Sequence, residues 1–337
     1  MQLHDSYRKS LKPVLMTLLV LAVIELIVWL TPALHPSEGF SGYVPIHTIL
    51  ETAAIIVSAM VFAAGWSVPK ENSSSSSLLL AIVFFGVGML DLLHMLSYEG
   101  MPDFITPNNP EKAIYFWLLA RVLSAIGLLM LAWSPCGNNL LIRRRWFGLV
   151  AMFVLLVAAS VIGFNYPDLI PRTFVPGRGL TGFKVWMEYF IIALFIASAF
   201  GFLMKMRSHQ PCDVQGLFVA VSVMALSELF FTLYASVTDI LNLLGHVYKV
   251  IAYGFIYKSV FLNGFRQPYL ELNSSRNLLQ MVIDHLPLRV FWKDRESRYL
   301  GCNVIFANYA GEADPKNVVG KNDKQFPWHE QADLYLR

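Results

Sequence analysis

Apolar runs of 18 or more residues recur along this chain, and each is long enough to cross a hydrocarbon core about 30 Å thick. Broken by turn-forming and charged residues, they predict eight membrane spans over roughly 13–33, 45–67, 77–97, 113–134, 146–164, 185–206, 214–237 and 246–264. With 56% hydrophobic and only 15% charged residues, the chain is too apolar for an ordinary soluble protein. The expected class is an all-α polytopic membrane domain over 1–265, immersed in a lipid bilayer. The first run follows Arg8, Lys9 and Lys12 as a signal peptide would. Its apolar core is too long for one, and Thr31-Pro32-Ala33-Leu34-His35 is a poor cleavage site.

Orientation follows from the basic residues. With the N-terminus inside, the inner set holds Arg8, Lys9, Lys12, Lys70, Arg143, Arg144, Arg145, Lys205, Arg207, Lys258 and Arg266. The outer set holds Lys112, Arg172, Arg178, Lys184 and, at a helix mouth, Lys249. This asymmetry places both ends in the cytoplasm. Cys136, Cys212 and Cys302 then all face the reducing side, where no disulfide is expected. The net charge of +3 is unremarkable, and no nucleic-acid partner is expected. Outside the bilayer, Gly-Met-Pro (100–102), Thr-Pro-Asn-Asn-Pro (106–110) and the stretch 165–184 read as turns. Inside, Ser73 to Ser77 reads as a flexible connector.

Ionisable residues inside the spans are the candidate site, since each costs about 2.5–3.5 kcal/mol in hydrocarbon on insertion scales. His47 and Glu51 are four apart and share one helical face, as do Asp91 and His94, three apart. Arg121, Glu188, Glu228, His246 and Glu25 join them at similar depth, within roughly nine residues (about 13 Å) of the outer ends. His47, His246 and Lys249 are expected at or near the outer mouths. The inner halves are nearly free of charge, and helix packing alone gives no reason for that one-sidedness.

Taken singly, these residues have plainer explanations: an interfacial helix start for His47, a helix-end cap for Asp91 and His94, an ion pair for Arg121. Taken together, His47, Glu51, Asp91 and His94 suit a transition metal such as Zn²⁺, Fe, Mn²⁺ or Cu²⁺, or a protonatable hydrogen-bonded cluster. A haem between the two histidines is the weakest arrangement, since nothing in the sequence shows room for a porphyrin. Tyr98, Tyr115, Phe116, Trp117, Trp186 and Tyr189 would suit an organic ligand or an interfacial aromatic belt equally.

Beyond Gly264 the composition changes. Phe265 to Leu272 reads as a linker within a connecting segment at 266–286. Asn273 to Leu286 reads as an amphipathic helix capped by Asn273 or Ser274. Arg289 to Asp294 and Arg298 to Asn303 read as two short strands, Val304 to Ala310 as a helix ended by Gly311, and a last helix starts at Trp328. This α+β pattern over 287–337 is short for a self-sufficient core, and the domain is expected to continue past residue 337.

The combination of His47…Glu51, Asp91-x-x-His94, Tyr98-Glu-Gly-Met-Pro and Trp117-Leu-Leu-Ala-Arg121 resembles bacterial membrane-associated sensor domains, specifically the third MASE type, over about residues 10–265. That resemblance implies an input module in the bacterial inner membrane, with an undefined small ligand or ion, ahead of cytoplasmic signalling domains. From about residue 274 the chain is similar to the first half of a PAS domain. The similarity rests on Leu286-Pro287, Phe291-Trp292-Lys293-Asp294, Tyr299-Leu-Gly-Cys-Asn303, Phe306-Ala307 and Val319-Gly-Lys-Asn-Asp323. Many PAS domains have Thr where Asn322 stands. The resemblance further implies a homodimer and an output such as a histidine kinase or diguanylate cyclase, sometimes with a phosphodiesterase, of which this sequence holds no catalytic motif. A transporter with a regulatory domain and an intramembrane metalloenzyme are the alternatives. Against them stand the one-sided polar set and the lack of a His-Glu-x-x-His motif.

Overall fold

The computed structural model describes residues 5–31, 42–68, 75–134, 144–175, 178–207, 214–233, 237–261 and 267–332. The chain divides into two compact units, Met1–Arg266 and Gln267–Arg337. Among the described residues the first unit holds eight α-helices: α1 Asp5–Leu30, α2 Tyr43–Ser67, α3 Ser75–Leu96, α4 Pro110–Trp133, α5 Arg145–Asn165, α6 Gly182–Arg207, α7 Gln215–Leu233 and α8 Ile240–Phe261. All eight are long and apolar enough to cross a membrane, as the apolar runs predict.

Six of them close a ring. α2 packs on α3, α3 on α4, α4 on α6, α6 on α7, α7 on α8, and α8 returns to α2. α1 and α5 stand outside, α1 against α7 and α5 against α3 and α4. The two outer helices are accordingly apolar almost all round. Leu19, Ile27 and Trp29 of α1 and Phe147, Val154 and Leu155 of α5 are exposed, which suits helices facing lipid rather than protein. α1 is tied on by the Tyr248 hydroxyl of α8, which donates to the Leu21 carbonyl at 2.8 Å. Small residues set the helix spacing. A Cβ on Gly65 of α2 would lie 2.6 Å from the Ser77 carbonyl oxygen of α3 and 2.9 Å from the Ala81 Cβ.

The connections 97–109 and 166–181 lie at the end of the ring where α2 and α8 begin. The first is braced by Asn108, whose side-chain amide donates to the carbonyls of Leu96, Met101 and Pro102 at 3.0, 3.3 and 2.9 Å. Gly100 supplies a positive φ of 92°, and Asn109 caps α4 ahead of Pro110. The second contains a two-residue hairpin, β1 Phe174–Val175 with β2 Gly179–Leu180, within a stretch that reads as turns.

Several boundaries differ from the sequence reading. Ser75 to Ser77 form the first turn of α3 rather than connector, with Ser77 packed against Gly65; residues 69–74 lie outside the described residues. α8 begins at Ile240, not near residue 246, because the Asp239 carboxylate caps it by accepting from the Asn242 N–H at 2.9 Å. His246 and Lys249 are therefore buried within the ring, not at its mouth.

A further difference lies in the second unit, where α9 Gln267–His285 starts ahead of the expected Asn273. Pro268 falls in its first turn, where a missing N–H leaves no hydrogen bond unmade. β3 Phe291–Lys293 pairs antiparallel with β4 Tyr299–Cys302, with an irregularity between Trp292 and Lys293. α10 Val304–Tyr309 follows, capped by Asn303, whose side chain accepts from the Phe306 N–H at 2.9 Å. Its end is turned by Gly311 at φ 80°. Of the helix expected from Trp328, His329–Gln331 form a 3₁₀ turn and Ala332 is helical, while residues 333–337 lie outside the described residues. Tyr299, Cys302, Phe306, Ala307, Val318 and Phe326 form a small core. Beside it the Asp323 carboxylate accepts from Lys293 Nζ, the Tyr299 hydroxyl (2.6 Å) and the Trp328 indole N–H (3.0 Å). Burial pushes the Asp323 carboxyl up, but these donors outweigh it and hold it below the usual carboxylate range. The Tyr299 hydroxyl is pushed up by burial and by donating to that carboxylate. Cys302 is a buried free thiol, while Cys136 and Cys212 lie outside the described residues.

Candidate polar site inside the helix ring

Every helix of the ring turns at least one ionisable side chain inward. α2 brings His47 and Glu51, α3 Asp91 and His94, α4 Arg121, α6 Lys184 and Glu188, α7 Glu228, and α8 His246 and Lys249. All are buried, His47, Glu51, Asp91, Lys184 and Glu188 to 0% exposure. On α2 the buried positions Tyr43, His47, Glu51, Ala54, Ser58 and Val61 follow one another at intervals of three or four. On α8 the intervals from His246 to Lys249, Tyr253, Ile256 and Val260 do the same. These stripes are single helical faces turned to the ring interior.

The side chains sort into three linked groups. In the first, His47 Nε2 lies 3.3 Å from His94 Nε2. His246 Nδ1 lies 2.6 Å from Glu51 Oε1, and Lys249 Nζ donates to the same oxygen. One ligand atom from each of His47, Glu51, His94 and His246 can be chosen so that all four lie within 4.8 Å of one another. In the second group, Arg121 Nη2 donates to Asp91 Oδ1 and Oδ2 at 2.8 and 3.1 Å and approaches the Tyr253 hydroxyl, which itself donates to Asp91 Oδ2 at 3.1 Å. In the third, Lys184 Nζ sits 2.9 Å from Glu188 Oε1, one turn along α6, and donates to the Phe231 carbonyl. Glu228 lies beside Glu188.

Two residues join the first group to the second. Lys249 Nζ reaches Asp91 Oδ1 at 3.8 Å. Trp117 offers its ring to Arg121 at 4.6 Å and to Lys249 at 4.9 Å, a favourable place for two cations held out of water.

The sequence groups Asp91 with His47, Glu51 and His94 as metal ligands, and here the structure differs. Asp91 is taken up by Arg121 and Tyr253, and His246 stands in its place beside Glu51. Arg121 does balance an acid, as expected, while Glu188 and Glu228 form a separate group rather than lining the histidine cluster. Tyr253 is a partner that a search for charges passes over, because it is neutral. Its position four residues beyond Lys249 on the same face of α8 is the signal that finds it. Lys184 was legible as an i,i+4 partner of Glu188. Of the aromatic residues, Tyr98, Phe116 and Trp117 are buried, whereas Trp186 is 75% exposed and Tyr189 faces outward too. Those last two fit an interfacial belt.

A narrow pocket reaches the cluster from the end carrying the 97–109 connection. His94 and His246 form its floor, and Glu99, Pro110, Trp117 and Asn242 are among its walls. Its free volume of about 20 Å³ is space for roughly one water molecule. A porphyrin does not fit there.

The molecule so defined is a multi-pass membrane protein whose charged groups converge inside a closed ring of helices. Residues 39–268 match the MASE3 family, described as a membrane-associated sensor domain. The match spans more than half of the chain, and the chain belongs to this family. Such domains commonly stand in signalling proteins. No curated protein and no solved structure matches the chain.

Proposed function

We propose that residues 1–266 are the sensory input module of a bacterial signal-transduction protein in the cytoplasmic membrane. The N-terminus and the second unit face the cytoplasm, and the polar cluster is read from outside. The second unit is the first half of a PAS domain, which passes the signal to a histidine kinase or diguanylate cyclase output within a homodimer. One observation carries this reading. α8 supplies His246, Lys249 and Tyr253 to the cluster, and it is also the last ring helix in the chain, ending at Phe261 ahead of Gln267. A stimulus that favours one arrangement of the cluster over another therefore acts on the helix that leads to the output, by its differential affinity for the two states.

Inserting one residue in the full-length protein tests the route. An insertion after Phe255 rotates the rest of α8 by about 100° relative to its polar face and is expected to uncouple output from stimulus. An insertion after Pro268, in the first turn of α9, leaves the whole of α8 in register with its polar face and is expected to be milder; residues 262–266 lie outside the described residues. Equal loss from both insertions argues for a continuous rod, and unchanged output from both removes α8 as the transmitter.

A further inference from the structure

The first group of the cluster has the ligand set of a metal site. Three imidazoles and one carboxylate, drawn from α2, α3 and α8, converge within 4.8 Å. Two atoms bound at about 2.1 Å to a tetrahedral Zn²⁺ lie about 3.4 Å apart. The His47 and His94 Nε2 atoms are already at 3.3 Å. The wider and narrower spacings of the set need shifts of about 1 Å, within the reach of side-chain rotation.

Outer contacts favour the same reading. His94 Nδ1 lies 2.8 Å from the Ala113 carbonyl oxygen, an acceptor only, so Nδ1 carries the proton and the Nε2 lone pair points into the cluster. A backbone carbonyl fixing the tautomer of a ligating histidine is a recurrent support of metal sites. Within the cluster, His47 Nδ1 and Glu51 Oε2 are buried without a hydrogen bond, while His246 Nδ1 is taken up by Glu51 Oε1 at 2.6 Å. Buried polar atoms left this way in a protein interior normally have a further partner. The pocket of about 20 Å³ that His94 and His246 help to line abuts the cluster on the side of Glu99 and Asn242.

We propose that His47, Glu51, His94 and His246 bind one borderline divalent transition ion, of the Zn²⁺, Co²⁺ or Ni²⁺ class, inside the ring. Nitrogen-rich donors with a single carboxylate suit these ions better than Mg²⁺ or Ca²⁺. Lys249 is the competing cation. Its ammonium holds Glu51 in the ion-free protein, and Asp91 Oδ1 at 3.8 Å is the acceptor it turns to when an ion takes Glu51. The proposal deepens the sensory reading by naming the ligand class, and it rests on that reading only for what the ion signals.

The test uses tag-free full chain in detergent, stripped with chelator and titrated with Co²⁺. One equivalent per chain is expected, with the visible absorption of a four-coordinate site and displacement by Zn²⁺. His47→Ala, His94→Ala and His246→Gln, each checked for monodispersity, are expected to weaken binding by more than the ~10–100-fold that losing an outer-shell partner costs. His329→Ala, in the second unit, is expected to bind like the parent. Lys249→Met is expected to bind Co²⁺ more tightly, a change that loss of a merely structural residue does not produce. Folded parent protein that takes up no stoichiometric Co²⁺ or Zn²⁺ overturns the site. So does Co²⁺ binding that survives all three histidine variants, or weaker binding in Lys249→Met. None of those results bears on the route through α8, which the insertion variants test separately.

Discussion

Removing the charge of Asp91 while leaving Arg121 tests the electrostatics of the ring interior directly. Arg121 is 1% exposed. Its guanidinium meets both Asp91 oxygens, the hydroxyl and ring of Tyr253 and the face of Trp117. Asp91→Leu therefore strands a guanidinium out of water, and breaking a buried pair from one side costs about 3–5 kcal/mol. Arg121→Met strands the carboxylate less completely, because Tyr253 still donates to it and Lys249 lies 3.8 Å away. Its cost falls toward the lower end of that range. In the double variant both charges are gone, while Lys249 retains Glu51. An apolar replacement of a whole buried pair is often neutral or better. The two changes should thus couple by about 3 kcal/mol or more, roughly 150-fold in the unfolding equilibrium. Unfolding of the four proteins by SDS in mixed micelles, followed by loss of ellipticity, measures the cycle. Additivity within about 0.5 kcal/mol, the behaviour of separate sites, would refute the pairing. Equal costs for the two single variants would refute the part assigned to Lys249.

Other outcomes follow from particular contacts. Gly65→Val should separate α2 from α3, because the Ser77 carbonyl oxygen that its Cβ would meet at 2.6 Å is backbone and cannot rotate away. A destabilisation of about 1–3 kcal/mol is expected from such overpacking, read in the same SDS titration, and an unchanged midpoint would contradict the close approach. In the second unit, the Asp323 carboxyl is held below its ordinary range in the folded state, so its contribution is present above the unfolded value and lost as pH falls through the folded one. Protection of residues 287–332 from proteolysis should accordingly fall on acidification below about pH 4. Asp323→Asn should lower protection at neutral pH and flatten that dependence, and an unchanged acid profile would contradict it. For topology, a reporter active only outside the cytoplasm should stay silent when fused after Gly137 or Gly264. Activity at either position overturns the orientation.

Much of the first unit was legible because long apolar runs have few folded solutions other than spanning helices. The pairs His47/Glu51 and Asp91/His94 were legible because helical spacing fixes a shared face within one element. Ring order was not, since it depends on contacts between distant segments such as Glu51 with Lys249, 198 residues apart. Periodicity gives the face and depth of Asp91 and so groups it with the histidines, but it does not give that Arg121 waits on the neighbouring helix. His246 read as a mouth residue because the start of α8 is set by the Asp239 cap rather than by hydrophobicity. In the second unit, Pro268 reads locally as a break, and the helix around it forms because its first turn needs no N–H from that residue.

The order in which the ring closes also governs how the protein is made. Arg121 follows Asp91 by 30 residues, so the α3–α4 pair carries its own countercharge into the membrane almost at once. Glu51 waits for a lysine 198 residues downstream, which at about 5–20 residues per second takes roughly 10–40 s to be synthesised. For that interval α2 holds a carboxyl group without its ammonium, and only the arrival of α8 completes the circle. A ribosome that stalls before α8 leaves a chain with most of its spans inserted and Glu51 unneutralised. Such a chain lacks both the span that closes the ring and the ammonium that neutralises Glu51 in the finished protein.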